Sequence, residues 1–311
     1  MWTASPTLTL DDPTAIIDPA LIASGRTLLD AMLAAFPAGS QALADAARLR
    51  TGGRFMDEWR SAAELLGIGW RSIALANITY DTAIITLGCS TAAIATESGP
   101  ILARNLDWWP ENELARASVG VRVGHWFAAT WPGFSGVVTG MSDRGFAVAL
   151  NAVELHEKSL PTGYPVLLML RRVLEDALDF DHAVTLLTET RLLASCLLTV
   201  VGVRNTQRVV IERGPTEAAL RRPDGDAPLI ATNDYRLLYA PTTSDAAPIY
   251  QTTCARFDAM TVLAGALEDP TDAELLAVLT DEDVFQGITV QHTILRPSTG
   301  QAGVWVPSRL M

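Results

Sequence analysis

The sequence predicts an α+β fold in which helices are layered on mixed or antiparallel sheets, and three observations lead there. Helical periodicity and strand-like runs occupy separate blocks along the chain instead of alternating one for one, which disfavours a doubly wound parallel sheet. The 311 residues can bury a substantial core as one large domain or two small ones. No internal repeat is visible, and no stretch rich in Pro, Gly or Ser divides the chain.

The elements follow in order. From about Leu21 to Ala83, apolar residues recur at three- and four-residue spacing in LLDAMLAAF, ALADAARL and FMDEWRSAAELL, which predicts a helical leader. After Cys89 the texture changes. STAAIAT, PILAR, SVGVRVG, WFAATW, SGVVTG and GFAVALNAV are short β-prone runs separated by Gly, Ser, Asp or Pro. Helices are predicted near Val166 to Ala177 and His182 to Thr190, the second with Asp179 or Asp181 as its N-cap. Strands return in CLLTVVGV, RVVIERG and PLIATN. Ala255 to Leu267 and Ala273 to Leu279 read as helices, and ITVQHTILRP with AGVWVP closes the chain as a hairpin.

Composition narrows the function. With 49% apolar and 19% charged residues the chain is globular in character. Asp and Glu outnumber Lys and Arg by 35 to 23, a net charge of −12, so the attraction to phosphate on which nucleic-acid binding rests is missing. No nucleic-acid partner is expected. Residues Met1 to Asp12 show neither a basic region nor a continuous apolar stretch, so no secretory signal is read and a cytoplasmic location is expected. The longest apolar run, Leu192 to Val203, is broken by Ser195 and Thr199 and is far short of the roughly 20 residues that cross a bilayer. It reads as a buried strand, and no transmembrane segment is expected. The three cysteines, Cys89, Cys196 and Cys254, form no C-x-x-C pattern, and at least one must stay free.

Common catalytic signatures are absent: no G-x-S-x-G, P-loop, G-x-G-x-x-G or H-E-x-x-H occurs. The four histidines, His125, His156, His182 and His292, are too dispersed for zinc ligation by helical spacing. The informative stretch is GCSTAAIATESGPILARNLDWW, where Cys89 stands between the helical leader and the first strand of the β block. A thiol there is a candidate nucleophile, although a lone cysteine also fits a small buried apolar residue. Arg104 and Asp107 lie one hairpin downstream, which would bring both charges to the thiol. The guanidinium would favour thiolate, and the carboxylate would orient the Arg or an amine. As a surface ion pair the same two residues would contribute about 0–1 kcal/mol.

On these residues, NITYD…GCSTAAIATESGPILARNLDWW resembles the cleavage junction of the acid ceramidase and N-acylethanolamine acid amidase family, and more distantly that of choloylglycine hydrolases and penicillin-type acyltransferases. LLTETRLLASCLLTVVGV, IATNDY, the Arg of TTCARFDAM and ITVQHTILRPSTG resemble family segments in the same order, so the likeness covers roughly residues 54 to 306. The resemblance implies a four-layer αββα N-terminal-nucleophile (Ntn) hydrolase sandwich preceded by the helical leader. It also implies self-cleavage between Gly88 and Cys89, giving a 1–88 fragment that stays associated with a catalytic 89–311 fragment. Cys89 would then use its own α-amino group, with an ordinary pKa of about 7.7–8.0, as general base.

Residue by residue, the resemblance makes Arg104 the neighbour of the thiol and Asp107 the partner of the α-amine. Asn233 becomes the oxyanion-hole amide, Asn151 a second oxyanion contributor and Arg256 a brace. Asn151 also fits an ordinary turn position, and Arg256 a solvated helix charge. Departures from the family are Cys89-Ser90-Thr91 for Cys-Thr-Ser, Ala103-Arg104-Asn105 for Gly-Arg-Asn, and Thr232-Asn233-Asp234-Tyr235 for Thr-Asn-Tyr-Asp. Ala152 stands where the family often has Glu, with Glu154 two positions on, which bears on self-cleavage. Trp108, Trp109, Trp126, Trp131 and Phe134 suit an apolar acyl pocket, or core packing.

The expected function is an autoproteolytic cysteine amidase that hydrolyses a small-molecule N-acyl amide through a Cys89 thioester, with no cofactor or metal. Acyl transfer to an amine is the nearest alternative. A papain-like pair of Cys89 with His125 or His182, and a non-catalytic ligand-binding relative, are the others.

Overall fold

The computed structural model describes residues 1–16, 18–37, 39–82, 88–153, 159–240 and 248–311. Glu154 and His156 lie outside the described residues. The chain opens with two short strands, β1 (Trp2–Ala4) and β2 (Thr7–Leu10), where the sequence had suggested no element. The helical leader follows as α1 (Pro19–Leu33), α2 (Gln41–Arg50), α3 (Met56–Leu66), α4 (Trp70–Ala76) and α5 (Thr79–Thr82). Asp18 caps α1 by accepting the N–H groups of Ala20 and Leu21, while Pro19 needs no donor at the first helical position. Gly67 ends α3 at φ 63°, a left-handed conformation that costs glycine little.

The β block holds β3 (Gly88–Ile94), β4 (Ile101–Asp107), β5 (Val119–Val123), β6 (Trp126–Thr130), β7 (Thr139–Ser142) and β8 (Phe146–Asn151), with α6 (Glu111–Ala117) between β4 and β5. Then come α7 (Val166–Asp176), α8 (Phe180–Glu189), β9 (Cys196–Val201), β10 (Arg208–Arg213), β11 (Ala218–Arg221) and β12 (Leu229–Ala231). Of the two candidate caps for α8, Asp179 is the one used, accepting the His182 N–H at 2.8 Å. The chain ends in α9 (Pro248–Gln251), α10 (Thr253–Gly265), α11 (Asp272–Leu279) and the hairpin β13 (Thr289–Arg296) and β14 (Gln301–Pro307).

The strands form two sheets, β1-β14-β13-β4-β3-β12 and β11-β10-β9-β8-β7-β6-β5-β2. Every pairing is antiparallel except β2 with β5. Strand alternation divides the core into layers. Between the sheets, Ala93, Leu102 and Leu295 meet Ala149, Leu197 and Val201. On its other face the smaller sheet turns Ala92, Ile94 and Ala103 toward Met260 and Ala264 of α10 and Leu275 and Leu279 of α11. The larger sheet turns Val148, Leu150 and Leu198 toward Leu170 and Val173 of α7 and Leu187 of α8. Helix, sheet, sheet and helix therefore stack as the expected four-layer αββα sandwich. The leader helices share the cluster that contains Cys89, through Leu28, Trp59, Leu66 and Ile73.

The β3–β4 hairpin is what positions the site. Gly99 makes its turn at φ 104°, and a Cβ there would stand 2.6 Å from the Val203 carbonyl oxygen. The register then pairs Gly88 with Asp107, Cys89 with Leu106 and Thr91 with Arg104. No helix among the described residues is long and apolar enough to cross a membrane.

Candidate active site

Cys89 is the second residue of β3 and only 1% exposed. It shares the inter-sheet face with Thr91, and Thr91 is opposite Arg104, so the guanidinium reaches diagonally back to the sulfur. Arg104 Nη2 donates to Cys89 Sγ at 2.6 Å, while Nη1 donates to the Val138 carbonyl at 2.9 Å and to Thr139 Oγ1 at 2.5 Å. Val138 and Thr139 belong to the larger sheet's side, so Arg104 is clamped between the two sheets with its charge on the thiol. Burial nevertheless pushes the Cys89 thiol above its ordinary value. Arg104 pulls it down, Asp107 adds to the rise, and the Ala152 N–H and Arg256 pull it down further. The expectation that Arg104 would leave a net depressed thiol is corrected for the uncut chain, because desolvation of the thiolate outweighs the cation.

Asp107 lies three residues beyond Arg104, so alternation turns it to the opposite face of the sheet. The two charges therefore do not approach the thiol from one side, as the sequence had suggested. Asp107 stands opposite Gly88, at the strand end where the Gly88–Cys89 peptide lies. Its Oδ1 accepts the Thr289 hydroxyl at 2.6 Å, and Oδ2 is buried with no partner among the described residues. Burial holds this carboxyl above the usual range, opposed by Arg256, Thr289 and Arg104.

Asn233 follows β12, in the register that brings it beside Cys89. Its Oδ1 accepts the Cys89 backbone N–H at 3.2 Å and Arg256 Nη2 at 2.7 Å, and these two donors fix which way the amide faces. Its Nδ2 donates to the Ala152 carbonyl at 2.8 Å. In the intact chain Asn233 thus holds the nucleophile's own amide, with the second N–H of Nδ2 left for a further acceptor. Arg256 is fully buried, not solvated. It donates from Nη1 to the Cys89 carbonyl and to Ser90 Oγ, both at 2.8 Å.

Asn151 departs from expectation. Its Nδ2 donates to the carbonyls of Ala231 and Thr232, both at 3.0 Å, and its Oδ1 accepts the Thr91 hydroxyl at 2.7 Å. Both amide hydrogens are spent joining β8 to the β12 end, so none remains for a substrate oxygen. Sequence reasoning missed Thr139, Thr253 and Thr289, which anchor Arg104, Asn233 and Asp107 respectively. It also missed the Ala152 backbone, which touches both Asn233 and the thiol. Thr139 and Thr289 lie in strands, where Thr is common, and Thr253 opens α10, so no motif marked these three.

Of the aromatic residues, Trp109 is 46% exposed and outside the cluster. Trp108 and Trp131 pack edge to face at 5.8 Å, Trp131 and Phe134 at 5.3 Å, and these three, with Trp126, belong to the buried cluster that holds Cys89. His125 bonds to the Glu175 carbonyl, and His182 takes the Leu178 N–H at the start of α8. Neither has a bond to Cys89, which removes the geometric basis for a papain-like pair. Among the described residues no group of three or more His, Cys, Asp or Glu is gathered for a metal ion.

Comparison with known proteins agrees with this architecture. The chain is 28% identical over 186 residues to an N-acylethanolamine-hydrolyzing acid amidase of Caenorhabditis elegans, an alignment covering 52% of each protein. The chain thus spans about half the length of the curated relative it matches. The solved structure of the C. elegans N-acylethanolamine-hydrolyzing acid amidase ortholog superposes with a TM-score of 0.55 at 21% identity, over 68% of this chain and 93% of the other, and shares its fold. Penicillin V acylase from Agrobacterium tumefaciens superposes with a TM-score of 0.46 at 13% identity, over 71% of this chain and 86% of the other. Residues 94–294, which include Arg104, Asp107, Asn151, Asn233 and Arg256 and begin five positions after Cys89, match the model of one family. With that match running over more than half its length, the chain belongs to the acyl-coenzyme A:6-aminopenicillanic acid acyl-transferase family.

Proposed function

We propose that this protein is a cysteine amidase of the N-terminal-nucleophile type, which breaks its own Gly88–Cys89 bond and then hydrolyses the linear amide of a small N-acyl compound. The observation that carries the reading is the setting of Cys89 at the start of β3. Arg104 contacts its sulfur, Asn233 holds its backbone N–H, and Asp107 stands opposite Gly88.

In self-cleavage Cys89 Sγ attacks the Gly88 carbonyl carbon. The C–N bond breaks as the thiol proton passes to the Cys89 nitrogen, leaving the Gly88 acyl group on sulfur as a thioester. Water hydrolyses the thioester, releasing the Gly88 carboxyl group and restoring the thiol beside a new α-amine. That amine, with an ordinary pKa of about 7.7–8.0, takes the thiol proton in turnover, and the unpartnered Asp107 oxygen supports the resulting ammonium. The thiolate attacks the substrate carbonyl, the ammonium protonates the leaving amine, and water removes the acyl group. The remaining Asn233 N–H faces the developing oxyanion, a contribution of about a hundred- to a thousandfold in rate.

The C. elegans relative is named for hydrolysis of N-acylethanolamines, and an N-acyl amide of that class is the substrate proposed for this chain. The family's name favours a second reading, in which an amine instead of water takes the acyl group from Cys89. The denatured mass of wild type beside Cys89→Ala, from mildly acidic to neutral pH, tests the cleavage. Fragments 1–88 and 89–311 are expected in wild type alone. Product analysis with N-acyl amides and added amines then separates hydrolysis from transfer. A chain that stays whole at every pH and leaves every amide intact would sink the reading.

A further inference from the structure

On the helix-covered face of the smaller sheet, away from the thiol's face, a cavity of about 300 Å³ opens between β13 and the turn after β14. Thr280, Phe285, His292, Pro307 and Arg309 line it. That volume is at the lower end of small-molecule sites, about 300–1,000 Å³.

His292 is fully buried on β13, opposite Asn105 of β4. Its Nδ1 lies 2.7 Å from Asn105 Oδ1, and Asn105 Nδ2 donates to the Leu279 carbonyl at 2.7 Å. The Leu279 bond turns the Asn105 oxygen toward the ring, so the ring proton sits on Nδ1 and Nε2 is left as a lone pair. No described residue donates to Nε2. Burial, with the Met1 amino group and Arg309 behind it, pulls the imidazole down to about 3, so near neutral pH this nitrogen can only accept. Arg309 supplies the opposite requirement. Its Nη2 donates to the carbonyls of Gly287 at 2.8 Å and Thr289 at 3.2 Å, and its guanidinium lies 5.5 Å from the centre of the Phe285 ring. No carboxylate of the described residues forms an ion pair with it.

The cavity therefore offers one buried acceptor without a donor among the described residues and, at its exposed rim, two cations, Arg309 and the Met1 amino group, beside the apolar walls of Phe285 and Pro307. Water would satisfy the acceptor but bring no negative charge to the cations. A simple carboxylate would do the reverse. We propose that this cavity binds a small hydroxycarboxylate, whose hydroxyl donates to His292 Nε2 and whose carboxylate faces Arg309.

The test is long-range ¹H–¹⁵N correlation of the four imidazoles in the full chain, titrated with 3-hydroxybutyrate and, separately, with butyrate. A saturable shift confined to His292 Nε2 is expected for 3-hydroxybutyrate. Binding of butyrate should be about tenfold weaker, the worth of one hydrogen bond. Arg309→Met should abolish the shift. If that variant does not fold, the comparison of the two acids on wild type still decides. Equal affinity for the two acids, no saturable shift with either, or a shift unchanged in Arg309→Met would overturn the assignment. The readout is binding, not turnover, so failure here is distinct from failure of the amidase reading.

Discussion

At the scale of single residues, two forces act on the Cys89 sulfur. Burial discourages the thiolate, and Arg104 at 2.6 Å encourages it. Removing the cation while keeping the burial should move the thiol's titration further up. Arg104→Met is therefore expected to slow alkylation of Cys89 by iodoacetamide at every pH below the thiol's own, with the rise in rate displaced to higher pH. A profile unchanged from wild type would mean that the guanidinium does not set the thiol's state. The two asparagines should separate by readout. Asn233→Ala strands the Cys89 N–H, Arg256 and the Ala152 carbonyl and is expected to lower amide turnover by about a hundred- to a thousandfold on top of a loss of stability, whereas Asn151→Ala should act through stability alone. Asn151→Ala leaves the Thr91 hydroxyl and the Ala231 and Thr232 carbonyls unpaired, so it should appear in thermal unfolding as a loss of about 1–3 kcal/mol. Both asparagines were legible as candidates in GFAVALNAV and IATNDY. Their partners lie 23 to 144 positions away in the chain, where no local motif could report them.

Among the elements, the short helix α5 meets α7 through a single carboxylate. Asp81 Oδ1 accepts the Val166 N–H at 3.0 Å, at the first residue of α7, and its Oδ2 has no partner among the described residues. Burial raises this carboxyl to about 7. A carboxyl whose folded value lies above its unfolded value of about 3.9 stabilises the fold fully at pH below the unfolded value. That contribution is lost as pH rises from there through about 7. Thermal stability should therefore fall between about pH 4 and 7 by an amount of order 4 kcal/mol at most from this group. Asp81→Asn, which keeps an oxygen for Val166, should flatten that fall and be more stable than wild type at pH 8. An equal decline in the variant would assign the pH dependence to other groups.

Over the whole molecule, the proposed division at Gly88–Cys89 would be one of chemistry and not of space. Sequence periodicity suggested a helical leader ahead of a β sandwich. In the structure residues 1–88 also place β1 at the edge of the smaller sheet against β14, and β2 at the edge of the larger sheet against β5. The leader helices add Leu28, Trp59 and Ile73 to the cluster around Cys89. Self-cleavage should therefore cut the chain without releasing either piece. Fragments 1–88 and 89–311 are expected to co-elute in size-exclusion chromatography and to part only in denaturant. Elution of the smaller fragment on its own in native buffer would refute this.

What the sequence by itself determined was local. Period-two and helical spacings, glycine turns and caps located the β block, the helices α7, α8, α10 and α11, and the closing hairpin. They also put Cys89 at the start of a strand with Arg104 and Asp107 one turn away. Tertiary structure decided everything that depends on two distant backbones meeting. It paired β1 and β2 with the two sheets, set Arg104 and Asp107 on opposite faces, spent the Asn151 hydrogens on carbonyls, and turned the Asn233 oxygen to the Cys89 N–H. It also made burial outweigh Arg104 at the thiol. The physical reason is that periodicity records which face of an element is apolar. A buried polar atom's partner, and the desolvation of a charge, are set by neighbours brought together from across the chain.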